Sequence, residues 1–296
     1  MFTMLKRSRR LALTEGVTAG VMFGTAAIFI RLLEPLNFSS IAFWRLIVAS
    51  AVLGGTTLVL KKPFSLKALK ENRIQLLVLG TLLGLHFIFF VSAVADTTIL
   101  NATVLVNTTP IFSLFIFILF FKQKPSLLAA VGLATSFLGV TLIAYADFSP
   151  IALSIRLKGD LEALSAAFVE ALYLNYGRKI RSKLSLFSIM LPIYLVAAFT
   201  VWLLCSLTGC PVNFSVQPNY IFFLVGLGIL PTAIAHTLYF SSLSNLQSFE
   251  TATLALLEPI GATLLGLLIF AEAPAALFVL GAFLVLCGIL SVAKGE

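Results

Sequence analysis

Residues 110–125 read PIFSLFIFILFFKQKP, and residues 259–274 read PIGATLLGLLIFAEAP. Each opens on Pro-Ile, continues as an apolar run and ends on a proline. Pro110 pairs with Pro259, and Pro125 with Pro274, at a common offset of 149. At the same offset Gly132 and Gly139 fall on Gly281 and Gly288. Upstream, Gly84-Leu85-His86-Phe87 and Phe90-Val91-Ser92 resemble Ala235-His236 and Phe240-Ser241-Ser242, with a slip of one residue. The chain therefore divides into two copies of one unit, over 1–148 and 149–296.

The surroundings of these stretches set the solvent. Of 296 residues 60% are hydrophobic and 11% are charged, and the mean hydropathy is +1.08. Soluble domains carry about 25% charged residues, so a water-soluble enzyme of this size is excluded, as is disorder. The apolar residues fall into ten segments near 13–32, 40–60, 74–95, 98–121, 127–146, 159–177, 185–207, 219–241, 250–271 and 275–293. About 20 apolar residues cross a bilayer as a helix. The runs do not alternate as barrel strands do. Lys6-Arg7-Ser8-Arg9-Arg10 precedes the first segment as it would a secretory signal, but the segment is too long and nine more follow. The expectation is an all-α integral membrane protein with ten transmembrane helices.

The net charge of +8 marks loops, not a nucleic-acid partner. With the N-terminus in the cytoplasm, the inner side holds Lys6, Arg7, Arg9, Arg10, Lys61, Lys62, Lys67, Lys70, Arg73, Lys122, Lys124, Arg178, Lys179, Arg181, Lys183 and Lys294. The outer side holds only Arg31, Arg156 and Lys158. Positive charge stays inside, so both termini are expected in the cytoplasm, with the chain multi-pass in the cytoplasmic (inner) membrane. Five helices per copy is odd, so the second copy enters the membrane inverted. The charges agree: the loop after the second span is basic, whereas its counterpart after the seventh carries no basic residue. Inverted repeats are a transporter architecture, with the solute site near the midplane in a central cavity.

Five elements resemble the drug/metabolite transporter superfamily, and within it the EamA-type members. They are Phe23-Gly24-Thr25, Phe43-Trp44-Arg45, Pro110 with its apolar run, Gly159-Asp160-Leu161, and Leu257-Glu258-Pro259 running to Glu272. The likeness spans essentially the whole chain. It implies ten helices, two inverted five-helix repeats and export of small metabolites through a central cavity. Phe23 stands where the family usually has tryptophan. Gln123 stands where the family has an acid at the end of the fourth helix; Glu272 keeps it in the second copy.

An ionisable side chain costs about 3 kcal/mol at the centre of a membrane helix, so each one is a candidate functional group. Glu258 lies inside the ninth span. Pro259 after it cannot donate to the carbonyl of Ala255, which frees an acceptor beside the acid. A carboxylate there is a site for proton exchange or for a cationic group; the plain alternative is a protonated acid bonding a neighbouring helix. Glu170 sits mid-way along the sixth span. Glu162, Ala166, Glu170 and Tyr173 follow at helical spacing and share one face. That stripe is either a site or an inter-helix clasp. His86 and His236 occupy equivalent places, and histidine titrates near neutrality. Inversion sets them about 10 Å apart along the normal by helix rise, which argues against a shared metal. Arg45 is expected to snorkel outward or to pair with Glu34 or Asp96, with a solute carboxylate as the sharper alternative. Asn107, with Thr108 and Thr109 before Pro110, is the polar counterpart of the Glu258 region. Phe87, Phe90 and Tyr239 are candidates to line a cavity. Gly16, Gly20 and Gly24, like Gly80 and Gly84, form small-residue ridges for close helix packing or for a moving seam.

Three cysteines fit no zinc spacing, and a local Cys205–Cys210 disulfide is open. No phosphate-binding loop occurs, and no cofactor is expected. The leading expectation is a secondary transporter of small amphipathic metabolites such as amino acids, by proton antiport or facilitated diffusion. Its partners would be the solute, membrane lipid and a proton, in a monomer or homodimer. Efflux of multiple drugs or cationic compounds is the alternative. An intramembrane enzyme is a distant one, since no H-E-x-x-H or G-x-S-x-G is present.

Overall fold

Polar breaks and caps carve the chain into helices. The computed structural model describes residues 8–33, 36–61, 65–97, 99–122, 124–146, 157–181, 184–213, 217–270 and 274–295. Ser8 accepts from Leu11 N at 3.2 Å and opens α1 (Arg9–Leu32). Asn37 accepts from Ser40 N at 3.0 Å and opens α2 (Phe38–Val59). Such caps satisfy backbone donors that a helix start leaves bare. A short α3 (Leu66–Glu71) leads into α4 (Arg73–Asp96), and α5 (Ile99–Val106) is followed by α6 (Thr109–Phe121) and α7 (Leu127–Ala146). The second half comprises α8 (Leu157–Arg181), α9 (Leu186–Leu207), α10 (Pro218–Leu227), α11 (Thr237–Ser242), α12 (Ser248–Leu254), α13 (Glu258–Phe270) and α14 (Ala276–Lys294). A π-helical segment, Gly228–His236, joins α10 to α11, and a 3-10 turn, Ala255–Leu257, joins α12 to α13. No strand occurs among the described residues.

Eight helical stretches among the described residues are long and apolar enough to cross a membrane. Two of the ten sequence segments fall short of that standard. The apolar part of α7 is Leu127–Ile143. The first half of α8 carries Lys158, Asp160, Glu162 and Glu170. Large apolar side chains such as Phe222, Leu268 and Phe120 point outward, as a lipid solvent requires.

Three of the ten segments are not plain α-helices. The 98–121 segment breaks at Asn107–Thr108, because Pro110 has no N–H to give and disfavours the helical conformation before it. The loosened carbonyls are taken locally: Thr108 donates to Leu105 O at 2.6 Å and Thr109 to Val106 O at 2.8 Å. In the ninth segment the Ala255 carbonyl, expected to be free, accepts the Glu258 N–H across the 3-10 turn. The eighth segment widens into π turns around Pro231, where Thr232 donates to Leu227 O five residues back at 2.7 Å.

Glycines set the closest approaches. A methyl group on Gly132 would come within 2.7 Å of Gly288 O, and one on Gly139 within 2.6 Å of Gly281 O. Both pairs of numbers add to 420, so α7 and α14 run antiparallel with their equivalent glycines crossed. Gly80 lies against Val196, where a methyl group would meet Cγ1 at 2.6 Å. Gly228 lies against Val48 in the same way, at 2.5 Å. Each member of the second pair is the first displaced by 148. Gly16, Gly20 and Gly24 on α1 press onto Leu254, Leu257 and Ala262, and Gly84 on α4 onto Ala197 and Thr200. The small-residue ridges are packing seams.

Candidate functional site

The interrupted helices converge, with their neighbours, on one small chamber lined mostly by buried side chains. α1 contributes Phe23 and Ala26, α2 contributes Arg45, and α4 contributes His86, Phe87 and Phe90. The break between α5 and α6 supplies Val106, Asn107, Thr109 and Pro110, and α8 supplies Glu170. His236 ends the π segment, while Ala252, Ala255 and Glu258 come from α12, the 3-10 turn and α13. A second, larger cavity is lined by Ile30, Arg31, Leu36, Phe38, Ala95 and Thr103 among others, and it shares Phe90 and Glu258 with the first. It lies where α1 ends and α2 begins. Glu258 therefore borders both cavities.

Polar contacts tie the helices together at the opposite end. Arg9 pairs with Glu250, with Nη1 at 3.3 Å from Oε2, and its Nη2 donates to Ala293 O at 3.1 Å. Glu250 is 1% exposed and also accepts from Gln247 N at 2.6 Å, capping α12. Ser241 donates to Glu15 at 3.2 Å, and Arg178 Nε to Leu246 O at 3.1 Å. Sequence reasoning treated Arg9 only as a topology charge and passed over Glu250. The Gln247-x-x-Glu250 capping pattern could have found the latter.

Within the chamber, Glu170 Oε2 accepts from Thr109 Oγ1 at 3.2 Å and lies 3.7 Å from His86 Nδ1. His86 Nδ1 also lies 3.2 Å from Ala166 O. The two histidine rings meet edge to face with centroids 6.2 Å apart. That corrects the separation expected from helix rise: each side chain reaches several ångströms from its backbone towards the other. His236 packs against Phe23 at 4.7 Å and Phe87 at 5.0 Å, and its Nδ1 has no hydrogen-bond partner. Asn107 lines the chamber, with Nδ2 donating back to Thr103 O at 2.8 Å.

Arg45 does not snorkel. It is 2% exposed, with Nε donating to Thr232 Oγ1 at 3.0 Å and Cζ 4.1 Å above the Phe87 ring. Its expected partner Asp96 instead takes Lys158 at 2.7 Å. Glu34 and the helix-end residues Gln123 and Glu272 lie outside the described residues. The neighbouring Trp44 turns the other way and donates to Asn213 O at 3.0 Å. The arginine is held inward because the π turns bring Thr232 beneath it, and Tyr194 in turn donates to Thr232 O at 2.9 Å.

The acidic stripe of α8 divides. Glu170 faces the chamber, whereas Glu162 lies 3.7 Å from Lys158 near the helix start. Tyr173 is buried beside Phe240, with its hydroxyl 3.9 Å from Met190 Sδ, and is not among the lining residues. Tyr239 packs on Phe23 and likewise stands behind the wall, its hydroxyl without a partner. Cys205, Cys210 and Cys287 are free thiols.

The sequence profile of the EamA-like transporter family matches residues 11–145 and again residues 157–293. An uncharacterized transporter of Archaeoglobus fulgidus is 28% identical over 287 residues, covering 94% of both chains. The uncharacterized transporter YdfC of Bacillus subtilis is also 28% identical, over 97% of this chain and 89% of its own. A solved crystal structure superposes with a TM-score of 0.77 over 97% of this chain and 98% of that one; at 19% identity this likeness shows the fold alone. With a polar chamber enclosed by apolar helices and both halves of the chain matched, this protein belongs to the EamA-like transporter family and is a multi-pass membrane protein.

Proposed function

We propose that the chain is a secondary transporter in which two inverted five-helix repeats open a shared chamber alternately to either side. The crossed glycine pairs of α7 and α14, and the matched pairs Gly80–Val196 and Gly228–Val48, support ten membrane helices related by a two-fold axis in the membrane plane. The solute is a small amphipathic metabolite such as an amino acid, exported across the cytoplasmic membrane with both termini in the cytoplasm. The observation that carries this reading is the joint lining of one cavity by Arg45 and His86 of the first half with Glu170, His236 and Glu258 of the second. Charged groups of both signs and aromatic walls suit a solute with both polar and apolar parts.

Proton antiport is the coupling we infer, through Glu258, because it borders both cavities. The test is uptake of labelled amino acids into proteoliposomes, with and without a pH gradient. Wild-type flux responds to the gradient; Glu258→Gln loses that response, read as the ratio of flux with the gradient to flux without it so that weaker solute binding does not mimic the loss. An unchanged response in Glu258→Gln removes this residue as the coupling group. Efflux of cationic compounds is a second reading, favoured by two carboxylates among phenylalanines. Transport of tetraphenylphosphonium in preference to amino acids would select it.

A further inference from the structure

We propose that Arg45 binds the carboxylate of the transported solute, and that the solute is an amphipathic carboxylate whose apolar part lies among Phe23, Phe87 and Phe90. This rests on the transport reading above and names its substrate class. Buried polar groups nearly always have partners, and an unmade hydrogen bond from a buried donor costs about 1–3 kcal/mol, more when it is charged. Arg45 is 2% exposed, yet its Nη1 has no hydrogen-bond partner while the side chain lines the chamber.

The rest of the guanidinium is fixed. Nε is bonded to Thr232 Oγ1 at 3.0 Å, and the plane is seated on Phe87 at 4.1 Å. A guanidinium anchored through Nε presents its terminal nitrogens as a rigid fork, the geometry that a carboxylate accepts in two parallel hydrogen bonds. Charge selects the ligand further. The same chamber holds Glu170 and Glu258, which repel a doubly charged phosphate more strongly than a single carboxylate. Glu258 also offers an acceptor for an ammonium, so an α-amino acid satisfies both signs and a plain carboxylate satisfies Arg45 alone.

The experiment uses the full-length protein and three probes that share one ring: L-phenylalanine, 3-phenylpropionate and 2-phenylethylamine. Thermal stabilisation in nanodiscs reads binding, and counterflow in proteoliposomes reads transport. The wild type is stabilised by both carboxylates and not by the amine. Arg45→Gln and Arg45→Lys weaken L-phenylalanine binding at least tenfold, since an ammonium cannot reproduce the fork. Thr232→Val keeps Arg45 but frees Nε, and weakens both carboxylates severalfold, so the inference stays testable if the arginine variants do not fold. Stabilisation by the amine alone or by no probe overturns the inference, as does unchanged carboxylate binding in the Arg45 or Thr232 variants. Stabilisation without counterflow defeats the transport reading and leaves the assignment of Arg45 standing. Counterflow that is indifferent to Arg45 does the reverse.

Discussion

Gly288 shows how little freedom single positions have here. A methyl group on it would strike Gly132 O and Ser136 Oγ of the neighbouring helix. Overpacking of this kind costs about 1–3 kcal/mol, and backbone on the far side leaves little room to relax. Gly288→Val is therefore expected to lower the thermal unfolding midpoint by several degrees, whereas Gly55→Val, with nothing within 4 Å, leaves it nearly unchanged. Purified variants in detergent give the comparison. The importance of Gly288 was legible from its recurrence at an offset of 149 from Gly139. That of Thr232 was not, because its role depends on π turns that apolar periodicity does not reveal. For the same reason Arg45 read as a snorkelling residue: sequence gives its depth but not the hydroxyl that holds it inward.

At the scale of elements, interruptions decide the site. Glu258 and the Asn107–Pro110 stretch were legible because a proline beside polar residues, inside an apolar run, marks a break in the helix at membrane depth. The division of the α8 stripe was not, since spacing tells which residues share a face but not where along the helix the chamber ends. The α12 start carries a further consequence. Glu250 is 1% exposed and its pairing partner Arg9 is 32% exposed. Removing the partner of a buried charge costs more than removing the charge, about 3–5 kcal/mol. Glutamine at the third helical position can still serve a capping box. Arg9→Ala is thus expected to destabilise the protein more than Glu250→Gln, by roughly 1 kcal/mol or more. Chemical unfolding of both variants checks the order; the reverse order would mean that Arg9 is dispensable to the buried acid.

For the whole molecule, the larger cavity lies at one end and the Arg9–Glu250 tie at the other. Ala95 lines the larger cavity and Leu246 is 1% exposed at the tied end. In a background without native cysteines, Ala95→Cys should react with a membrane-impermeant maleimide at least tenfold faster than Leu246→Cys, each approached from its own side of oriented vesicles. Equal rates would mean that the larger cavity is no more accessible than the tied end. The family and the multi-pass membrane character were readable from the chain at this scale, since each is written many times over in apolar segments and motif spacing. The place of the larger cavity was not, because it depends on how side chains pack between helix ends, which spacing does not show.

The pairing of Arg9 with Glu250 has no mirror image in the repeat. At the offset of 149 its counterparts in sequence are Lys158 and Asn101, so asparagine replaces the glutamate. Lys158 instead pairs with Asp96, each far more exposed than its like-charged counterpart in the Arg9–Glu250 pair, so the two ends are tied by ion pairs of unequal burial. Under the transport reading proposed above, the empty form lingers with the more weakly tied mouth exposed, so half-saturation measured from the two compartments will be unequal. Net flux will then be limited by the return of the vacant protein, whereas exchange of one solute molecule for another will run faster.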